Sequence, residues 1–422
     1  MQQHKRLIMV QFDIKEYSVW IYLGMFLLAM AITLYAIPSV ILVSKKKRLL
    51  DKPDHRKKHK NVTPNLGGIA IFSAFAFVAC LFNVGEYLVS WGYILGSAFL
   101  LFVTGLKDDL VAIDPYKKFG AQFMAALIIV FLADVRLDSL HGFLGIDHLP
   151  YIISFVLSII GTTFVTNAFN LIDGVDGLAG SMSFLICSFY GIVFGLNHDY
   201  GFAMASFALA GTIVGFLRYN INPAKIFMGD TGSLILGFMI AVLSIAFVAR
   251  INEHSENSFI SGLFSTDASL SVALAAIIVP VYDTFRVFTL RILKGFSPFH
   301  PDRTHVHHVL LDSGFSPNQV SLTLFGTTLL FICGSLVMAA FQLGNTIAIG
   351  IIILGASALI FCATRMRNRR VAARKAHRKQ QEGAKMKTVS PEEYIQSMLN
   401  KSAKEVFEES EAAASYIKNL QN

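Results

Sequence analysis

Five polar segments interrupt an otherwise apolar chain, and each carries residue types able to do chemistry. In the first, Lys60 leads through Thr63, Pro64 and Asn65 into Gly67 and Gly68. Two glycines at a helix entry admit either a ligand or another backbone at close range. In the second, Asp108 and Asp109 stand side by side after Lys107. Adjacent carboxylates serve a cation or a proton transfer, or form a solvated helix end. In the third, Asn167 and Asn170, then Asp173 and Asp176, are each three residues apart, which sets each pair on one face of a helical turn. Asparagine and aspartate suit Mg²⁺, a hard ion that takes oxygen ligands and keeps several waters. Gly174, Gly177 and Gly180 open backbone amides to a phosphate or a ring. The fourth runs Gly229, Asp230, Thr231, Gly232, Ser233 into an apolar stretch, where the free amides of a helix start favour an anionic group as cap or ligand. The fifth holds four histidines within nine residues, His300, His305, His307 and His308, with Asp302 and Arg303 among them. A zinc cluster is one reading, but no cysteine is at hand, and phosphate oxygens suit Arg303 and the imidazoles better. Asp283 and Arg286, one helical turn apart, read as a structural ion pair. Carboxylates for a metal and cations for phosphates are together the equipment of phosphoryl transfer.

The elements that must position these groups are membrane helices. Of 422 residues, 54% are hydrophobic and only 15% charged, with a mean hydropathy of +0.56, where a soluble domain is about a quarter charged. A water-soluble enzyme, a disordered chain and a fibre all fit badly. About eleven apolar runs approach the length of a bilayer span, at residues 19–43, 68–84, 87–106, 119–133, 151–167, 178–196, 200–217, 234–248, 270–290, 320–343 and 347–363. Hydrocarbon requires each to be helical. The expected fold is therefore all-α: a polytopic integral membrane protein with a short N-terminal segment (1–18), a transmembrane domain (19–363) and a soluble tail (364–422) that is first basic and then amphipathic from Ser390 onward. No cleavable signal peptide is expected, since 1–18 is mixed polar and the first apolar run is too long for a signal core. Cys80, Cys187, Cys333 and Cys362 lie in apolar stretches and show neither metal-ligand pairing nor a disulfide framework.

The net charge of +8 is distributed by parity. The loops after the odd-numbered spans and the tail hold Lys45 to Lys60, Lys107, Lys117, Lys118, Lys225, Lys294, Arg303 and the run from Arg365 to Lys379, whereas the opposite side has little beyond Lys5, Arg6, Lys15, Arg136 and Arg250. Positive loops mark the cytoplasmic side, and all five segments fall there. The basic surplus is thus matched to anionic membrane lipid rather than to nucleic acid. A transporter of an anionic solute would instead scatter ionisable groups over both faces and mid-span.

In their order, these motifs resemble the polyprenyl-phosphate N-acetylhexosamine-1-phosphate transferases. The likeness runs over about 51–308 through Thr-Pro-x-x-Gly-Gly, Asp-Asp, Asn-x-x-Asn-x-x-Asp-Gly-x-Asp-Gly-Leu-Ala, Met-Gly-Asp-Thr-Gly-Ser and His-x-His-His. The Asp302 to His308 loop is similar to the undecaprenyl-phosphate N-acetylglucosaminyl branch. Val306 breaks the three consecutive histidines of the branch that transfers phospho-N-acetylmuramoyl-pentapeptide in peptidoglycan synthesis. The resemblance implies a bacterial inner (plasma) membrane enzyme with its site facing the cytoplasm. A lipid phosphate, undecaprenyl phosphate, attacks UDP-N-acetylglucosamine and releases UMP, with Mg²⁺ as cofactor (Mn²⁺ able to replace it). The lipid-linked sugar would begin a surface polysaccharide of O-antigen, enterobacterial common antigen or teichoic acid type. A homodimer is compatible with it. Carried over, Asp230 and Asn170 would hold the metal, and Asp108 would be the base or position the acceptor, with Asp109 beside it. Asp173, Asp176 and Lys60 would contact the nucleotide, and Arg303, His305, His307 and His308 the diphosphate or sugar.

Overall fold

The computed structural model describes residues 14–49, 63–250, 268–298, 300, 302–388, 396 and 399; Lys60 and the start of the amphipathic tail at Ser390 lie outside them. All eleven apolar runs fall on helices. In chain order these are α1 (Ile14–Lys46), α2 (Gly67–Leu81), a single turn α3 (Val84–Tyr87), α4 (Trp91–Leu110), α5 (Pro115–Phe131), α6 (Tyr151–Ile172), α7 (Leu178–Leu196), α8 (Tyr200–Asn220), α9 (Gly229–Arg250), α10 (Ser269–Leu293), a short α11 (Val306–Asp312), α12 (Pro317–Ala340) and α13 (Asn345–Thr388). Eight of them are long and apolar enough to cross a membrane, fewer than the eleven spans expected. The shortfall is at α2 and α5, with 15 and 17 residues, and at α4, whose last turn is the polar Lys107, Asp108, Asp109. Of these, α4 and α5 contribute residues to the site.

A two-stranded antiparallel hairpin, β1 (Ser139–Phe143) and β2 (Ile146–His148), adds to the all-α expectation. No alternation of apolar and polar residues announces it. It closes through Leu144 and Gly145, both with positive φ, the backbone that a tight hairpin turn demands. It lies at the end of the helices away from the five polar segments, where Asn345 donates to the carbonyl of His141 and accepts from the backbone of Ser271.

The centre of the bundle is α9, whose residues from Thr231 to Val248 are all buried. Helices α2, α4, α6 and α7 pack around it, and α8 fills the space between α1 and α7. Lipid offers no hydrophobic drive for helix association, so close backbone packing must supply it. Here α2 crosses α9 at Gly68 and Gly232, and a Cβ on Gly68 would land on the backbone nitrogen of Gly232. Gly105 of α4 makes the same approach, its missing Cβ 2.6 Å from the Cα of Thr231. The glycine pair Gly67, Gly68 therefore serves helix packing, the structural one of its two sequence readings.

Contacts divide the chain into Met1–Ala363 and Thr364–Asn422. In the second unit the described residues 364–388 are helical, and Arg365, Arg369, Arg374 and Lys375 are exposed on them.

Candidate active site

Each polar segment is anchored by hydrogen bonds that its own neighbours supply. The strand of chain before α2 pairs with the chain before α9: Phe227 donates to Pro64, Gly67 to Phe227 and Gly68 to Met228, at 2.7 to 3.0 Å. That pairing carries Asn65 to Asp109, to whose carboxylate its amide donates at 3.3 Å. Asp109 in turn caps α9. Its two oxygens accept from the backbone N–H groups of Asp230 (2.8 Å) and Thr231 (2.9 Å) and from the Thr231 hydroxyl (2.5 Å), satisfying orphan donors of the helix start. Gly229 sits at φ +71°, and a Cβ there would run into the carbonyl of Asn65 and lie 2.6 Å from the Asp109 carboxylate. Gly229→Ala is expected to cost about 1–3 kcal/mol of stability from the backbone conformation alone, read as a lowered melting temperature in detergent.

With α9 so placed, Asp230 meets Asn170 at the end of α6, whose amide donates to it at 2.5 Å and to Ser233 at 2.8 Å. Asp108, one residue before Asp109, accepts from the backbone of Ile113 at 2.8 Å. Between Asp108 and Asp230 stands Lys118, 3.2 Å from the first carboxylate and 2.8 Å from the second. Its helix α5 starts at Asp114, which caps it, and Pro115, so Lys118 is one turn in and faces back toward the end of α4. Sequence reading took Lys118 only as a topological charge; nothing in its spacing marks it as bridging two aspartates 10 and 112 residues distant. Asn220 and Gln122 were likewise missed, being ordinary residue types outside the five polar segments.

Two adjoining cavities open here, of about 480 and 410 Å³. Asp108, Asn170, Asp173, Gly174 and His308 border both. The first also has Asp109, Asp176, Asp230, Arg303, Phe227 and Asn220 on its wall. The second has Lys118, Gln122, His300, His305 and His307. Every expected site residue except Lys60, which lies outside the described residues, thus reaches one pocket or the other. Their availability differs. Asp176 is 5% exposed and accepts from the Asn222 amide (2.7 Å) and the Ala224 backbone (3.2 Å), so it holds the chain before α9 while touching the cavity. Asn220 braces the same turn, accepting from Gly177 and donating to Ile226 at 2.9 Å each. Arg303 is the more accessible cation, bound only loosely to Asp312 at 3.4 Å.

Carboxylates and imidazoles respond to burial here in opposite directions. Desolvation pushes the Asp173 carboxyl well above the ordinary carboxylate range, and the nearby charges of Asp230, Asp109 and Asp176 push it further. Such crowding of carboxylates calls for a cation. On the histidine side, burial and then the charge of His308 bring His307 down from 6.5 to about 3, and burial followed by Arg303 lowers His308. Both rings are therefore neutral near pH 7. Because unfolded His307 takes up a proton near pH 6.5 and the folded one only near 3, its contribution is complete above about pH 6.5 and declines as the pH falls toward 3. His307→Asn is expected to flatten the fall in melting temperature between pH 6.5 and 4. Burial would raise Asp302, but two hydrogen bonds from Arg291, at 3.0 and 3.1 Å, hold it well below its usual range, which pins the loop before α11.

What these groups could hold follows from their donor atoms. Asp230, Asn170, Asp108 and Asp173 offer oxygen only, and among the described residues no three His, Cys, Asp or Glu side chains form a ready-made metal cage. That suits Mg²⁺, which binds through one or two carboxylates plus substrate phosphates. It does not suit zinc: the rings of His305 and His307 stack at 8° and 5.8 Å rather than converging.

Comparison with known proteins agrees with this arrangement. The model of glycosyl transferase family 4 matches residues 91–248, from the start of α4 almost to the end of α9. A probable undecaprenyl-phosphate N-acetylglucosaminyl 1-phosphate transferase of Bacillus subtilis is 30% identical over 321 residues, 74% of this chain and 84% of the relative. The undecaprenyl-phosphate alpha-N-acetylglucosaminyl 1-phosphate transferase of Yersinia pestis is 30% identical over 276 residues, 64% and 72% of the two chains. A decaprenyl-phosphate N-acetylglucosaminephosphotransferase of Mycolicibacterium smegmatis is 31% identical over 294 residues, 65% and 71%. With four-fifths of a relative covered at this identity and the family's motifs gathered round one site, the chain belongs to the polyprenyl-phosphate N-acetylglucosamine-1-phosphate transferases, membrane-integrated enzymes of glycosyl transferase family 4.

Proposed function

We propose that this enzyme transfers N-acetylglucosamine 1-phosphate from UDP-N-acetylglucosamine to undecaprenyl phosphate, with Mg²⁺, at the cytoplasmic face of a bacterial inner membrane. An oxygen of the lipid phosphate forms a bond to the sugar-bearing phosphorus of the donor, the bond to UMP breaks, and UMP leaves with the electron pair. The product is a lipid-diphosphate sugar of the kind that begins a surface polysaccharide. The observation that carries this reading is the convergence of Asp108, Asn170 and Asp230 on a cavity whose rim bears Arg303 and His308.

Nucleophile and target are both anions, so their approach is opposed at every distance until positive charge offsets it. When bound, Mg²⁺ would neutralise phosphate oxygens and hold donor and acceptor in line. Asp230 and Asn170 would hold it through their side-chain oxygens. Arg303, on the lining of the same cavity, would meet the diphosphate with a planar fork suited to phosphate. Asp108 lies between the two cavities; since a phosphate monoester has its second pKa near about 6, its part is to orient the acceptor and receive a proton only when one remains. Asp109, with its oxygens taken up by α9, keeps Asp230 in place and does not react. Phe227 and Asp176 line the first cavity and are the groups assigned to the nucleotide.

Purified protein offered UDP-N-acetylglucosamine and undecaprenyl phosphate should release UMP in a Mg²⁺-dependent manner. Turnover solely with the muramoyl-pentapeptide donor would assign the chain to peptidoglycan synthesis instead, and uptake into proteoliposomes without a lipid product would return it to the transporters.

A further inference from the structure

Asp283 lies in α10, ten residues before the helix ends, and is 2% exposed. Its spacing to Arg286 accounts for one ion pair, and Arg286 does donate to it at 2.7 Å. That leaves most of the carboxylate unexplained. Both oxygens also accept from the backbone N–H of Val306 at 3.1 Å, and one of them lies 2.9 Å from Nδ1 of His305. An ionised carboxylate can only accept, so Nδ1 of His305 carries the proton. The other ring nitrogen, Nε2, is buried without any hydrogen-bond partner, in a side chain on the wall of the second cavity near Lys118 and His308. A buried polar atom left without a partner is costly, and His305 lines the cavity that substrate groups would enter.

We propose that Asp283 is a positioning residue for the transfer: it fixes the tautomer and ring plane of His305 so that Nε2 accepts a hydrogen bond from a hydroxyl of the substrate's sugar. This rests on the reaction proposed above. Arg286 closes the arrangement by donating also to the carbonyl of Thr304 at 2.6 Å, which holds the loop at the level of Asp283. Carboxylate–imidazole pairs of this kind orient ligating histidines elsewhere, where losing the carboxylate costs roughly 10- to 100-fold.

Four proteins test the inference: wild type, Asp283→Asn, His305→Gln and the double variant, with UMP release measured and melting temperatures followed as a check on folding. Each single change should lower kcat by roughly 10- to 100-fold, and the double variant should be no more than about 2-fold worse than the poorer single, because both changes break one chain of contacts. Losses that multiply, or an Asp283→Asn enzyme as active as wild type, overturn it. A second measurement does not depend on Asp283→Asn folding: in wild-type protein labelled with ¹⁵N-histidine, the ring signals lost in His305→Gln should show a protonated Nδ1, and a bare Nδ1 overturns the inference. Wild type inactive toward UDP-N-acetylglucosamine counts against the reaction, while the ¹⁵N signals still decide the role of Asp283.

Discussion

Replacing Asp230 by asparagine is expected to remove turnover almost entirely, by about 1000-fold or more, while leaving the fold close to that of wild type. The reasoning lies in what the substitution keeps. Asparagine retains the size of the side chain, and Asp109 still caps the α9 backbone at Asp230 and Thr231. What disappears is the single charge that meets both Lys118 and the Asn170 amide, the corner at which hard oxygen donors gather. UMP release should fall to background, and the Mg²⁺ concentration needed for any residual rate should rise. Substantial activity in a correctly folded variant would remove Asp230 from the metal-binding role.

Lys118→Met should lower kcat by about 100- to 1000-fold, although nothing in the sequence singles Lys118 out. Its ammonium, on a side chain 15% exposed, is the cation shared by Asp108 and Asp230. In the free enzyme it offsets the repulsion of two carboxylates at short range. Under the proposed reaction the same charge would stabilise phosphoryl oxygens once a divalent ion held the carboxylates. The two variants are therefore separable. Loss of Asp230 weakens the response to Mg²⁺, whereas loss of Lys118 removes a competitor for Asp230 and should leave the half-saturating Mg²⁺ concentration unchanged or lower. Titrating each variant with Mg²⁺ while following UMP release checks this.

The contrast between these two residues shows what was legible in the chain. Asp230 stands out because it opens an apolar helix between two glycines, and Asp173 and Asp176 because they interrupt apolar runs at helical spacing. Segments of that kind cost free energy in a membrane and so announce themselves. Helices were readable for the same reason: hydrocarbon tolerates little else. The spans that fell short were α2 and α5, which are brief, and α4, whose last turn is polar and lines the site. Lys118 was hidden since it sits in a basic loop already explained by topology, and Asp283 because Arg286 accounted for it locally. Asp109 was given a share in the chemistry, but the backbone of α9 takes up its oxygens, a contact made across 121 residues of chain. The hairpin at 139–148 carries no period at all.

One measurement bears most directly on the central claim, that a divalent cation bound at Asp230 brings the two anionic reactants together. Mn²⁺ replaces Mg²⁺ in the detergent-solubilised enzyme with UDP-N-acetylglucosamine present, and electron–nuclear spectroscopy reads the coupling of the metal to ³¹P. Wild type is predicted to show a directly bonded ³¹P coupling that Asp230→Asn lacks. An active wild-type enzyme whose Mn²⁺ shows no ³¹P coupling, or the same coupling in both proteins, would contradict the account.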